Sequence, residues 1–296
     1  MKNIILTVII MTLSIVGTAQ KQRDSSEANT DSPLPPIMMK NDKPVGYNND
    51  KNIFLLAEKY RSIKNINASQ GQLKNLNSWW TYTSQNINLS QNFIGFAPDS
   101  NEVSKKVFLQ LLTTGNFYPV KIGIKSNLPS YELLSLDTSN KDIQNTIIQL
   151  ASDQLFYYNM EGKELPNYQF EDIAGHKYNN VNTRGKFIVL KCWFIRCVAC
   201  VKEFPELNKL VDNYKNRKDI LFVSLAFDNK QDLKIFLKTH RFNYEVVPNQ
   251  QSYMMDRLSI NTFPTHIIIG KDGKIKKAVD NYKDLLPALN KEILNE

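Results

Sequence analysis

Cysteine and histidine are scarce in this chain, which has three residues of each type among 296. Zinc normally takes four ligands at characteristic spacings, and the chain has a single closely spaced pair, Cys197 and Cys200, so a metal site is not expected. Basic runs interleaved with aromatic residues are also lacking, despite a net charge of +8, which argues against a nucleic-acid partner. With 42% hydrophobic and 22% charged residues, the chain is typical of a folded protein long enough for two domains.

The first 19 residues have the pattern of a signal peptide. Lys2 precedes an apolar run at residues 4–16, and the small residues Gly17-Thr18-Ala19 follow it. The run is shorter than the ~20 residues that a spanning helix needs, so we predict cleavage after Ala19, with an uncleaved membrane anchor as the alternative. No cysteine follows the run, so a lipobox-type lipid anchor is not supported. Export to the periplasm would place the protein where disulfides persist.

Composition divides the remaining chain into three segments. Residues 20–50 are polar and proline-rich, which predicts a flexible linker. Residues 51–160 combine amphipathic helical patterns with extended runs, which predicts a small α+β domain of unknown role. Its helices are expected near 52–63, 102–112 and 141–158, and its strands at 118–124 and 131–136. Trp79-Trp80 is a candidate aromatic docking site there, although packing in a core is the favoured interpretation.

Residues 161–296 alternate short apolar runs with helical stretches, which is the pattern of an α/β domain. The strands are expected at 187–194, 220–227, 244–247, 265–269 and 274–279, and the helices at 198–215, 231–239, 253–258 and 283–294. Lys271-Asp272-Gly273 is a strong hairpin signal between the last two strands.

Cys197 and Cys200 lie where the strand at 187–194 is expected to end and a helix to begin. Free N–H groups and the helix dipole at a helix start stabilise a thiolate on the first cysteine. The second cysteine, one turn further, can attack a mixed disulfide and release the product. A structural disulfide is the alternative, but so short a loop constrains the unfolded chain little. The spacing therefore predicts a redox-active disulfide that needs no other cofactor.

Several matches in order along residues 165–296 resemble the TlpA/ResA-type thioredoxin-like proteins of bacterial cell envelopes. The matching residues are Gly185-Lys186 before the motif, Trp193, Glu203-Phe204-Pro205, Phe263-Pro264-Thr265 and Lys271-Asp272-Gly273. The resemblance implies a thioredoxin-like fold, a central mixed sheet flanked by helices, preceded by the small α+β domain. It does not cover the residues before about 160.

The resemblance also implies roles for individual residues. Pro264 becomes the cis-proline that faces the disulfide, and the backbone beside it pairs with the substrate chain, so Phe263 and Thr265 are expected to contact or tune the substrate site. Trp193 belongs to the same set. Glu203 matches an acidic residue that tunes the thiols, because a carboxylate raises a neighbouring thiol pKa and a desolvated one can accept its proton. The alternative for Glu203 is an exposed helical glutamate.

Some residues depart from the thioredoxin pattern. Arg196 replaces the tryptophan before the first cysteine, and its charge favours the thiolate unless the side chain points into solvent. Lys191 stands where thioredoxin has a buried acid, and a Lys191–Glu203 pair under the site is our hypothesis. Cys192 is expected to be an inert packing residue rather than a third redox partner. His266 follows Pro264 closely, but an ordinary strand residue is the favoured interpretation.

The leading functional prediction is dithiol–disulfide exchange with protein thiols, in the reducing direction, with electrons from a membrane donor. A peroxiredoxin-like peroxidase is a second interpretation, although Phe194 replaces the Thr or Ser expected three residues before the attacking cysteine. A Cu(I) carrier is a third, weakened by the tight spacing and the lack of a clear partner histidine. A binding module is the fourth, in which the N-terminal region recognises a partner. The sequence does not reveal the oligomeric state.

Overall fold

The computed structural model describes the backbone of Ile37–Met38 and the residues 51–63, 75–137 and 139–295. The predicted signal peptide lies outside the described residues, and so does the predicted linker apart from β1 (Ile37–Met38). Among the described residues, no helix combines the length and apolar character that membrane crossing requires.

The first half of the described chain contains four helices around a small sheet. The helices are α1 (Lys51–Arg61), α2 (Leu76–Asn86), α3 (Lys105–Leu112) and α4 (Lys141–Met160). The strands are β2 (Ile94–Phe96), β3 (Glu102–Val103), β4 (Phe117–Lys125) and β5 (Leu128–Ser135), in the order β3-β2-β5-β4. β2 and β5 run parallel, and the other two pairs are antiparallel. This is the α+β composition expected from the sequence.

Helix ends in this region follow from capping side chains. The side chains of Asn75, Ser104 and Asn140 accept the amide N–H of the residue three positions on, which satisfies one free donor of each helix. The predicted helix over 102–112 therefore begins only at Lys105, because Glu102–Val103 pair with β2 before the Ser104 cap. α3 also packs closely on the sheet, since a Cβ added at Gly95 would lie 2.7 Å from the Phe108 ring.

The second half contains a five-stranded mixed sheet in the order β10-β9-β8-β12-β13. Its strands are β8 (Phe187–Trp193), β9 (Ile220–Ala226), β10 (Glu245–Val247), β12 (Thr265–Ile269) and β13 (Ile275–Val279). β8, β9 and β10 are parallel, whereas β12 pairs antiparallel with both β8 and β13. Every residue of β8 is buried, which places helices on both faces of the sheet. The predicted thioredoxin-like arrangement is confirmed.

The other elements of this half surround that sheet. They are the hairpin of β6 (Gln169–Glu171) and β7 (Lys177–Asn179), the short β11 (Thr262–Phe263), α5 (Val198–Lys202), α6 (Phe204–Asn213), α7 (Lys230–Phe236), a π-helical turn at Tyr253–Arg257, and α8 (Tyr282–Leu294). The single helix predicted over 198–215 is wrong: it is interrupted at Glu203. Pro205, in the first turn of α6, has no N–H to continue the ladder from α5.

α4 links the two halves. Its first turns contribute Ile143, Ile147 and Ala151 to the core of the first sheet. Its last turns contribute Tyr157 and Met160 to the core that contains the cysteine pair. The described residues from Ile37 onward form one compact unit, and the domain boundary at residue 160 stays a prediction.

Candidate active site at Cys197 and Cys200

The two cysteines form a disulfide at the start of α5. β8 ends at Trp193, a short loop follows, and Cys197 is the N-cap of the helix. The Cys197 and Cys200 Cα atoms are 5.2 Å apart, and both side chains are buried. The Cys200 amide donates a hydrogen bond to Cys197 Sγ at 3.2 Å. After reduction, the same N–H group can donate to a Cys197 thiolate and stabilise it.

The loop before β12 lies beside this disulfide. The Phe263–Pro264 peptide bond is cis, as the family resemblance implied. In the antiparallel register Thr265 pairs with Cys192 and His266 pairs with Lys191, so the proline lies next to the carboxyl end of β8. Phe263 shares a hydrophobic cluster with both cysteines. The predicted residues Phe263, Pro264 and Thr265 are thus brought to the cysteine pair.

Three phenylalanines pack together around that loop. Phe263 contacts Phe194 and Phe227 edge-on, with ring centroids 5.5 and 5.0 Å away. Phe194 and Phe227 stack on each other at 5.2 Å. Both are only partly buried, so part of this aromatic surface is accessible next to the disulfide.

Trp193, predicted to contact or tune the substrate site, belongs to the core of this half. Its side chain is fully buried and packs edge-on against Phe204 and Phe242, at 5.0 and 5.7 Å between ring centroids. Its burial favours a tuning role through packing over direct contact with a substrate, and both roles stay predictions. Arg196, in contrast, is exposed, so its charge acts through solvent rather than as a buried neighbour of Cys197.

A buried polar cluster joins Lys191, Glu203 and His266. Lys191 Nζ lies 2.7 Å from Glu203 Oε2, and His266 Nε2 lies 3.0 Å from the same oxygen. The second oxygen, Oε1, accepts the Tyr282 amide at 2.9 Å. Lys191 and His266 are fully buried and Glu203 is 7% exposed, so the interpretation of Glu203 as an exposed helical residue is wrong. The hypothesised Lys191–Glu203 pair is present.

The charges in this cluster follow from burial and contact. Burial alone raises the pKa of Glu203, but the charge of His266 in its protonated form, the charge of Lys191 and the hydrogen bonds from both outweigh burial and lower that pKa to about 2. Burial and the nearby Lys191 charge lower the pKa of His266. Its Nδ1 has no partner among the described residues, which fits a neutral imidazole that donates Nε2–H to Glu203. A carboxylate held this firmly in its charged form is a poor proton acceptor, which disfavours base catalysis by Glu203, and thiol tuning stays a prediction.

Some site residues were missed or ranked wrongly from the sequence. His266 was expected to be an ordinary strand residue, and its link to Glu203 spans 63 positions that no local pattern reports. Asp228 accepts the Ile195 amide at 2.8 Å and so fixes the loop that leads to Cys197. Asp228 follows β9, and the carboxyl ends of parallel strands meet at one edge, a signal that could have found it. Tyr157, on α4, reaches Thr265 and had no detectable signal.

Cys192 is fully buried and lies outside the disulfide. Burial raises the pKa of its thiol to about 12, which leaves it protonated and unreactive. This agrees with the packing role predicted for it.

A group of possible metal ligands lies apart from the cysteine pair, at Asp172, His176 and Glu245. Asp172 Oδ1 already accepts the amides of Ala174 and His176, and Oδ2 contacts His176 Nδ1 and the Tyr178 hydroxyl. These hydrogen bonds account for the proximity of Asp172 and His176, which lie in one turn held by the Asp172 side chain.

A thioredoxin-like sheet with a cysteine pair at a helix start and a cis-proline loop beside it defines a thiol–disulfide oxidoreductase. Comparison with known proteins supports this class. The AhpC/TSA family model matches residues 162–278. Thiol-disulfide oxidoreductase ResA of a Bacillus cereus strain is 30% identical over 119 residues, which are 40% of this chain and 68% of the relative. ResA of Bacillus subtilis is 28% identical over 120 residues, 40% of this chain and 66% of the relative.

The chain belongs to the family of ResA-type thiol–disulfide oxidoreductases through this C-terminal part. Solved structures with similarity include the thioredoxin domain of a thiol-disulfide oxidoreductase from Bacteroides vulgatus, at 23% identity, 44% of this chain, 96% of that chain and a TM-score of 0.41. StoA from Bacillus subtilis is 21% identical over 42% of this chain and 96% of its own, with a TM-score of 0.37. The chain spans about two thirds of the length of the curated relatives.

Proposed function

We propose that the protein reduces disulfides of other proteins outside the cytoplasm through Cys197 and Cys200. The observation that carries the proposal is the disulfide at the start of α5, beside the cis-proline loop. In the reduced protein, the Cys197 thiolate attacks a substrate disulfide, forms a mixed disulfide and releases one substrate thiolate. The Cys200 thiolate then attacks Cys197 Sγ and releases the second. The substrate gains two electrons, and the protein returns to its oxidised form with the Cys197–Cys200 disulfide.

A polypeptide substrate is supported by the edge of β11. β1 pairs antiparallel with β11, with Ile37 opposite Phe263 and Met38 opposite Thr262. This edge therefore accepts an extended chain directly before Pro264. Strand addition to such an edge supplies affinity through backbone hydrogen bonds, and neighbouring side chains supply specificity. The partly accessible rings of Phe194 and Phe227 favour an apolar residue near the substrate cysteine.

The reductant that regenerates the dithiol must itself be a thiol pair able to exchange with Cys197. We propose a membrane donor, in keeping with export of the chain, and no cofactor beyond the disulfide itself. The predicted signal peptide supports export. The N-terminal mass of the exported protein tests this: a mature chain that begins at Gln20 supports it, and one that retains Lys2 points to the anchor.

Trapping of the mixed disulfide tests the exchange reaction. Cys200→Ser should accumulate a covalent adduct with a disulfide-bonded protein, because Cys197 can attack but nothing resolves the product. Cys197→Ser should form none, and Cys192→Ala should behave as the wild type because that thiol is buried and protonated. An adduct that forms equally in Cys197→Ser would refute the assigned order of attack.

A further inference from the structure

α4 contacts the cis-proline loop through a buried tyrosine. Tyr157 lies in the same hydrophobic cluster as Phe263 and both active-site cysteines. Its hydroxyl is 3.0 Å from Thr265 Oγ1. Tyr157 precedes the residues 162–278 that match the family model, so the tyrosine lies outside the matched segment.

A second hydrogen bond of the Thr265 hydroxyl fixes the direction of the one with Tyr157. The Thr265 hydroxyl donates to the Thr262 carbonyl at 2.6 Å, and a carbonyl can only accept. A hydroxyl has one proton, so Thr265 must accept from Tyr157. The result is a chain of two hydrogen bonds, from the Tyr157 O–H to Thr265 and from Thr265 to Thr262, which spans Phe263 and Pro264.

A second contact from the same face of α4 holds the other end of the loop. Asp153 is one helical turn before Tyr157, and its Oδ1 accepts the Thr262 hydroxyl at 3.3 Å. Both Asp153 and Tyr157 are buried. Thr262 and Thr265, on either side of the cis-proline, are thus both hydrogen-bonded to α4. These contacts hold β11 in place beside the cysteine pair.

We infer that Tyr157 is a positioning residue for substrate recognition: through Thr265 it holds the Thr262–Phe263 backbone in the conformation that pairs with an extended polypeptide. The inference rests on the proposed function and deepens it. Tyr157 acts on the loop that receives the substrate chain, because the described hydrogen bond of its hydroxyl goes to Thr265. Its hydroxyl should therefore affect the binding of protein substrates and leave thiol chemistry unchanged.

The test compares Tyr157→Phe with Tyr158→Phe, the same chemical change one residue along α4. Tyr157→Phe keeps the buried ring and removes only the hydroxyl, so the expected effect is that of one ordinary hydrogen bond, about a five-fold rise in KM for a protein disulfide. The kcat, the midpoint potential and the rate with a small aliphatic disulfide should stay at wild-type values. Tyr158→Phe should leave all four quantities unchanged.

A double-mutant cycle supplies the independent check. In a Thr265→Val background the hydroxyl chain is already broken, so adding Tyr157→Phe should raise KM no further. A full five-fold effect in that background would overturn the inference, and so would a wild-type KM in Tyr157→Phe. Equal losses with protein and small disulfides would also overturn it, because they indicate damage at the cysteines. Failure of the proposed function is distinguishable, since the wild type itself would then reduce no protein disulfide.

Discussion

Replacement of Lys191 by methionine is the sharpest perturbation that the structure offers. The side chains have similar length, so packing in the core of β8 is largely kept while the ammonium is lost. Glu203 would then keep its hydrogen bonds from His266 and Tyr282, but its buried negative charge would have no cationic partner. Breaking a buried pair in this way costs about 3–5 kcal/mol of unfolding free energy.

An exposed lysine–glutamate pair provides a control for the stability loss expected from Lys191→Met. Lys209 Nζ and Glu206 Oε1 are 2.8 Å apart, but the two side chains are 70% and 41% exposed. Lys209→Met should therefore change the free energy of unfolding little, because solvent screens this pair. At about 2–4 °C for each kcal/mol, Lys191→Met should lower the Tm by roughly 6–20 °C, whereas the Lys209 variant should change it little.

Denaturant unfolding at neutral pH measures the change in unfolding free energy for Lys191→Met and for Lys209→Met. A second substitution, at Glu203, tests whether the unpaired charge causes the loss in Lys191→Met. In a Glu203→Gln background no charge is left unpaired by Lys191→Met, so the loss should shrink by more than half. The same should occur on acidification, because Glu203 without Lys191 protonates more readily. The reasoning would be refuted if Lys191→Met and Lys209→Met lowered the unfolding free energy equally. It would also be refuted if Lys191→Met cost as much in the Glu203→Gln background as in the wild type.

Three further outcomes are expected. Because folding lowers the pKa of Glu203 from 4.5 to about 2, its contribution to stability is complete above pH 4.5 and should be lost as the pH falls towards 2. An unfolding free energy that stays constant across this pH range would contradict the assignment. β1 occupies the β11 edge, so an extended substrate must displace it. Replacing Ile37 and Met38 together by proline should therefore release this edge and raise kcat/KM for a protein disulfide, with no change for a small one. An unchanged kcat/KM for the protein disulfide would show that β1 does not compete with the substrate. Trp79→Ala should cost about 3–5 kcal/mol of stability because the ring is buried, yet leave the midpoint potential unchanged; a shifted potential would mean that this core supports the thiols.

Much of the fold could be predicted because its signals are local. The apolar run at β8, the alternation of strands and helices after it and the turn at Lys271-Asp272-Gly273 each lie within a few residues. The cysteine spacing and its place between strand and helix identified the reactive pair for the same reason. Asn75 and α2 were missed, since that helix has a weakly apolar sequence and depends on Trp79 packing into a core built from distant residues.

The supporting polar contacts were harder to predict because they join distant parts of the chain. Tyr157 and Thr265 are separated by 108 residues, and Glu203 and His266 by 63. Burial decides the state of each of these groups, and burial depends on the completed sheet and on α4. Lys191 was the exception, because a charge in the middle of an apolar strand already requires a partner.

A redox titration of the mature protein in defined thiol buffers tests the central claim most directly, with wild type, Cys197→Ser and Cys200→Ser read by alkylation and mass. We expect one reversible two-thiol couple in the wild type, with a midpoint near the roughly −270 mV of thioredoxin for a reductant, and no couple in either variant. A midpoint near about −120 mV would reverse the proposed direction. The absence of any couple, or its survival in one of the variants, would contradict a Cys197–Cys200 redox centre and would lead instead to copper-binding and peroxide assays.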